Sequence, residues 1–111
     1  MIIAFKSKRL QKICSTKKSA LGKLGKTRGQ KLMQRLSELN AAGNLNYISH
    51  LPPARLHELS GKQKNQFSVD LDHPYRLLFT PDYEVMPQDE DGGIDKEKVE
   101  KIKILGIKDT H

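Results

Sequence analysis

The chain has 111 residues, 36% of them hydrophobic, which is enough to close one modest core but not two, so a single domain spanning residues 1–111 is expected. Twenty Lys or Arg against 13 Asp or Glu give a formal charge of +7, a balance that favours phosphate backbones, ribosomes, anionic lipid or an acidic protein partner. No apolar run approaches the roughly 20 residues that cross a bilayer, Met1–Phe5 is too short for a signal h-region, and the single cysteine, Cys14, has no second cysteine for a disulfide or metal site. A reducing, cytoplasmic setting without membrane association is therefore expected.

In chain order, Ile2–Phe5 is a short apolar run that reads as a strand. Ser7 then reads as an N-cap. Leu10, Ile13 and Cys14 recur at helical spacing while Lys8, Arg9, Lys12, Lys17 and Lys18 fall mainly elsewhere on the wheel, which predicts an amphipathic basic helix from Lys8 to about Lys18, with Cys14 packed inward. Gly22 and Gly25 interrupt the next stretch. Leu32, Met33, Leu36 and Leu39 mark one face of a second helix that begins near Thr27 and stops before Gly43.

Asn44–Pro53, with its Pro-Pro pair, reads as a loop. Beyond it the period changes from helical to alternating. Phe67, Val69 and Leu71 alternate with Ser68, Asp70 and Asp72, and after the His73-Pro74 turn Tyr75–Thr80 is again strand-like, so the two runs predict a hairpin with Phe67 in the core. Pro87–Lys98, containing Asp89-Glu90-Asp91-Gly92-Gly93, predicts a solvent-exposed hairpin excursion. Val99, Ile102, Ile104 and Ile107 predict a last, imperfectly alternating strand. The expected order is β-α-α-β-β-β, an α+β fold.

Charge is segregated along the chain. Met1–Lys31 holds ten Lys or Arg and no carboxylate, whereas Asp82–Glu100 holds eight carboxylates and two lysines. A positive face carrying Lys6, Lys8, Arg9, Lys12, Lys23, Lys26 and Arg28 is expected to meet RNA phosphates through contacts that ignore sequence and weaken as salt rises. The plainer reading of the same residues is a solvated surface that keeps the chain soluble.

The segment Leu51–Phe79, LPPARLHELSGKQKNQFSVDLDHPYRLLF, resembles the Leu-Pro, Arg-Leu-His-x-Leu-x-Gly, aromatic-Ser-Val and Tyr/Trp-Arg-Leu-x-Phe sequence of HigB-type toxins of the RelE/ParE toxin-antitoxin superfamily. The ending Ile107-Lys108-Asp109-Thr110-His111 is similar to their final strand, which closes on Asp-Tyr-His or a near variant. The resemblance implies a compact RelE-like fold and a toxin that enters the ribosomal A site and cuts messenger RNA without metal or other cofactor. It also implies a HigA-like antitoxin as partner, with operator DNA bound only through the antitoxin complex. By position it carries catalytic roles onto His57, Arg76, Asp109 and His111. Ser60 stands where many relatives have a lysine, a cation that Lys62 or Lys64 would then supply, and Thr110 stands where a tyrosine is frequent.

Cutting RNA without metal needs a base for the ribose 2′-hydroxyl, a cation for the charge developing on the phosphate, and an acid for the departing 5′-oxygen. Imidazoles such as His57 and His111 exchange protons near neutrality. The planar fork of Arg76 can grip two phosphate oxygens. The expected division makes His57 or Asp109 the base, Arg76 the clamp and His111 the acid. Against this stand structural readings: His57 as a loop or packing residue, Arg76 as a cross-strand partner of Asp70 or Asp72, a fraying His111, and His50 and His73 as loop residues beside prolines. Two other functions fit the same residues, a ParE-like topoisomerase poison and a catalytically degenerate module that binds RNA or antitoxin without cleaving.

Overall fold

The computed structural model describes residues 1–109. Strand β1 (Ile2–Phe5) leads into three helices, α1 (Lys8–Ser15), α2 (Lys17–Leu24) and α3 (Lys26–Ala41). Strands β2 (His57–Glu58), β3 (Phe67–Asp70), β4 (Tyr75–Pro81) and β5 (Lys101–Asp109) follow. All five strands form one mixed sheet in the order β1-β5-β4-β3-β2, in which only the β1–β5 pair is parallel.

The expected first helix is two helices. Ser7 caps α1 as the sequence suggests, its side chain accepting from the Leu10 N–H, but Thr16 does the same for Ser19 while its own backbone is extended (φ −142°, ψ 156°). A second N-cap thus breaks the chain inside a stretch whose charge pattern runs on unchanged. Gly22 lies within α2 and does not interrupt it. Gly25 is the real break, at φ 86°, where its N–H donates to the Leu21 carbonyl and closes α2 before α3 begins. At Gly29, α3 crosses α2 so closely that an added Cβ would sit 2.8 Å from the Leu21 backbone.

One face of the sheet is covered by the helices. Phe67, Val69, Leu77, Phe79, Ile102 and Ile104 meet Cys14, Ala20, Leu32 and Leu39 there, and burying each large side chain contributes about 1.5–3 kcal/mol. Phe67 and Phe79 stack with centroids 6.0 Å apart. The expected hairpin is β3–β4, with Phe67 opposite Phe79 and Asp70 opposite Arg76. The imperfect alternation of the last strand is a bulge: Leu78 faces Gly106 but Phe79 faces Ile104, so Leu105 is an extra residue that returns the Ile side chains to the core.

One further element departs from the sequence reading. Strand β2 is only two residues long, too short for any periodicity to reveal, and it exists because β3 offers it an edge: His57 pairs with Ser68 and Glu58 with Phe67. The 87–98 excursion is the expected hairpin, exposed over residues 88–93 and tied at its base. Asp89 accepts from the N–H groups of Asp91 and Gly93, Gln88 bridges to Ile94, and Ile94 is buried in the core. Among the described residues no helix is long and apolar enough to cross a membrane.

Candidate functional site

Residues directly opposite each other in antiparallel strands share a face, and so do residues two apart along a strand. Applied outward from the core, this rule sorts the site. Phe67, Val69, Leu77 and Phe79 face the helices, so Ser68 and Asp70 on β3, Arg76 and Leu78 on β4, and their partners His57 on β2 and Lys108 on β5 face the opposite, helix-free side. His57 and Arg76 are thereby brought together. They line one cleft of about 190 Å³ with His50, Arg55 and Leu56.

Arg76 is half-buried and engaged. Its Nε lies 3.1 Å from Asp70 Oδ1, the cross-strand ion pair that register alone would make. Asp70 also faces a second guanidinium, with Arg55 Nη1 3.5 Å from Oδ2. Arg55 holds a left-handed backbone, φ 49°, which few residues with a Cβ adopt and which recurs at functional sites. Ser68, fully buried beside His57, has no hydrogen-bond partner for its hydroxyl among the described residues.

Asp109 does not join this cleft. Register sets it opposite Tyr75, whose ring lies on the helix side 3.4 Å beneath the Arg28 guanidinium, while Lys108 takes the position beside Arg76. The one-residue step that separates Asp109 from Lys108 carries it through the sheet. Thr110 and His111, the remaining terminal positions of the motif, lie outside the described residues. His50, expected as a plain loop residue, lines the cleft with His57.

The basic residues divide. Lys6, Lys8, Arg9, Lys12, Lys23 and Lys26 are exposed on or beside the helices. Arg28 is not available in the same way, because it is bidentate with Asp72 (3.1 and 3.2 Å) as well as stacked on Tyr75. Lys62 and Lys64 are exposed on the turn between β2 and β3, outside the His57 cleft.

Sequence reasoning missed three cations on the sheet and one in the core. Lys101 and Lys103 alternate with Ile102 and Ile104, a two-residue period that assigns them to the face away from the helices, and the bulge at Leu105 brings Lys108, next to Ile107, to the same face. Arg35 lies three residues after Leu32 and four before Leu39, on the apolar stripe itself. It is 1% exposed, and its guanidinium donates to the Asp70 carbonyl at 2.8 Å and to both Glu38 oxygens at 3.1 Å. Cys14 packs in the core as expected, and burial pushes its thiol up to about 11.

A larger cavity, about 590 Å³, is an apolar groove elsewhere, between the end of α3 and the 42–54 loop, with Ala41, Tyr47, Ile48 and Leu51 in its walls. Among the described residues no three His, Cys, Asp or Glu side chains converge as a metal site would need. No protein-family model matches this chain, and no curated protein matches it.

Proposed function

We propose that the chain is the toxin of a type II toxin-antitoxin system, a HigB-type member of the RelE/ParE superfamily with the RelE-like topology, acting in the cytoplasm as a ribosome-dependent endoribonuclease. The observation that carries this reading is the meeting of His57 and Arg76, the two reactive positions of the Leu51–Phe79 motif, in one cationic cleft on the helix-free side of the sheet. An exposed cleft of guanidinium and imidazole groups suits a phosphodiester, since the guanidinium stays charged as it hydrogen-bonds phosphate oxygens and the imidazole can take a proton.

In this reading messenger RNA in the ribosomal A site presents its backbone to the cleft. His57 takes the proton of a ribose 2′-hydroxyl, the 2′-oxygen attacks the adjacent phosphorus, and Arg76 holds the charge that develops on the phosphoryl oxygens. The bond to the 5′-oxygen breaks with a proton supplied by His111, leaving a cyclic phosphate and a 5′-hydroxyl end. Of the two expected base candidates this reading takes His57, supported by its place in the cleft with Arg76, whereas Asp109 lies opposite Tyr75. A HigA-like antitoxin would restrain the toxin by covering its basic face or keeping it from the ribosome, and operator DNA would be bound through that complex.

A second reading, docking to RNA without cleavage, is favoured by the Arg76–Asp70 ion pair and by the separation of Asp109 from the cleft. The two are told apart by incubating the protein with programmed ribosomes and with naked messenger RNA and mapping fragment 5′ ends. Cleavage on ribosomes alone, with 5′-hydroxyl ends and lost in His57→Ala and Arg76→Ala, is the expected result. Ribosome binding without cleavage would establish the second reading, and growth arrest that persists in both variants would turn the assignment to topoisomerase poisoning.

A further inference from the structure

Across β3, β4 and β5 the helix-free face carries a row in which Asp70 is opposite Arg76 and Arg76 is opposite Lys108. Arg55 reaches the same carboxylate from the loop before β2. Two guanidiniums thus hold one anion, and Lys108 follows Arg76 in the row. The two guanidiniums take different oxygens of Asp70, at 3.1 Å for Arg76 and 3.5 Å for Arg55, so the carboxylate occupies the position of an anion bridging two forks.

The backbone shows that this arrangement is built into the fold. The Asp70 N–H donates to the Ala54 carbonyl at 2.7 Å and its carbonyl accepts from buried Arg35, so both sides of the residue are tied. Arg55, at φ 49°, is held by its N–H donating to the Leu51 carbonyl at 3.0 Å. The ion pairs themselves are open to exchange: the Arg55 side chain is 53% exposed and that of Arg76 26%, and pairs wet to this degree contribute little stability.

We infer that Arg55 and Arg76 form a two-guanidinium subsite for a phosphodiester of single-stranded RNA, and that Asp70 is its resting counter-ion, displaced when the phosphate enters. The inference rests on the RNA-directed reading above and adds to it a second phosphate ligand, Arg55, and a built-in competitor, Asp70. Asp70 lowers affinity twice, by holding the guanidiniums and by repelling the incoming anion. Its removal therefore strengthens RNA binding, the opposite of what loss of a merely structural ion pair would do.

The test uses a fluorescein-labelled 2′-O-methyl RNA hexanucleotide, which has no free 2′-hydroxyl to react, and reads anisotropy at one fixed salt concentration. Asp70→Asn is expected to bind about two- to fivefold more tightly than the unaltered chain, and Arg55→Gln about fivefold or more weakly. Asp70→Ser serves in place of Asp70→Asn if thermal melting shows that variant unfolded. Equal or weaker binding by the folded Asp70 variant, undiminished binding by Arg55→Gln, or no binding by any of the proteins overturns the subsite. Since no cleavage is involved, ribosomes left uncut while these affinity shifts persist would remove the nuclease and leave the subsite, and the reverse pattern would remove the subsite alone.

Discussion

Cys14 and Arg35 show how single side chains acquire properties from their surroundings. Burial raises the Cys14 thiol from its ordinary 9.0 to about 11, so between those values the unfolded chain loses a proton that the folded chain keeps. Folding then binds more protons than unfolding, and stability falls as pH rises through this window, by about 2–3 kcal/mol when complete. Chemical denaturation of the protein and of Cys14→Ala between pH 8.5 and 11 should show a steeper decline in the former, and thiol reagents at neutral pH should leave Cys14 unmodified while the protein is folded. Arg35 joins α3 to the end of β3 through the Asp70 carbonyl. Arg35→Ala removes that charge-assisted bond together with a buried side chain and should lose about 2–4 kcal/mol in urea unfolding.

At the scale of elements, the breaks between helices are decided by local chemistry and their spacing by close contact. Thr16 ends one helix and caps the next, so Thr16→Ala should lower stability by about 1 kcal/mol without altering the sheet. Gly29 is where α2 and α3 touch. Gly29→Ala drives a methyl into the Leu21 backbone and should cost about 1–3 kcal/mol, read as a lowered melting temperature. The hairpin and α3 were legible because each carries its period over several residues, the first strand because a four-residue apolar run is too short for a helix, and the last strand because its alternation holds on either side of one bulge. Strand β2 was not, since two residues have no period, and neither was the α1–α2 division, because a threonine in a polar run has many other uses.

For the whole molecule, the charge that composition reports as a single number is divided between two surfaces. The exposed lysines and Arg9 beside the helices form one, and Arg55, Arg76, Lys101, Lys103 and Lys108 belong to or border the other, across the sheet. Binding to a polyanion should weaken linearly in the logarithm of salt concentration. A charge-neutralising change at Lys8 or Lys12 should reduce that salt slope by about one and affect all RNA sequences alike, as for any phosphate contact. Filter binding of homopolymeric RNA over a range of salt concentrations measures both effects.

What the sequence by itself determined follows from short-range rules: an α+β class, one cysteine packed inward, the strand alternation that turns Ile102 and Ile104 to the core and Lys101 and Lys103 away from it, and a segment, Leu51–Phe79, that carries both His57 and Arg76. Those features depend on neighbours within a few positions along the chain. The tertiary structure alone decided which of the motif residues meet. Pairing β2 with β3 and β3 with β4 carried His57 to Arg76, one step of register sent Asp109 to the far face, and the fold of the preceding loop brought Arg55 and His50 to the cleft. Register and loop closure depend on contacts between residues distant in the chain, and no local pattern encodes them.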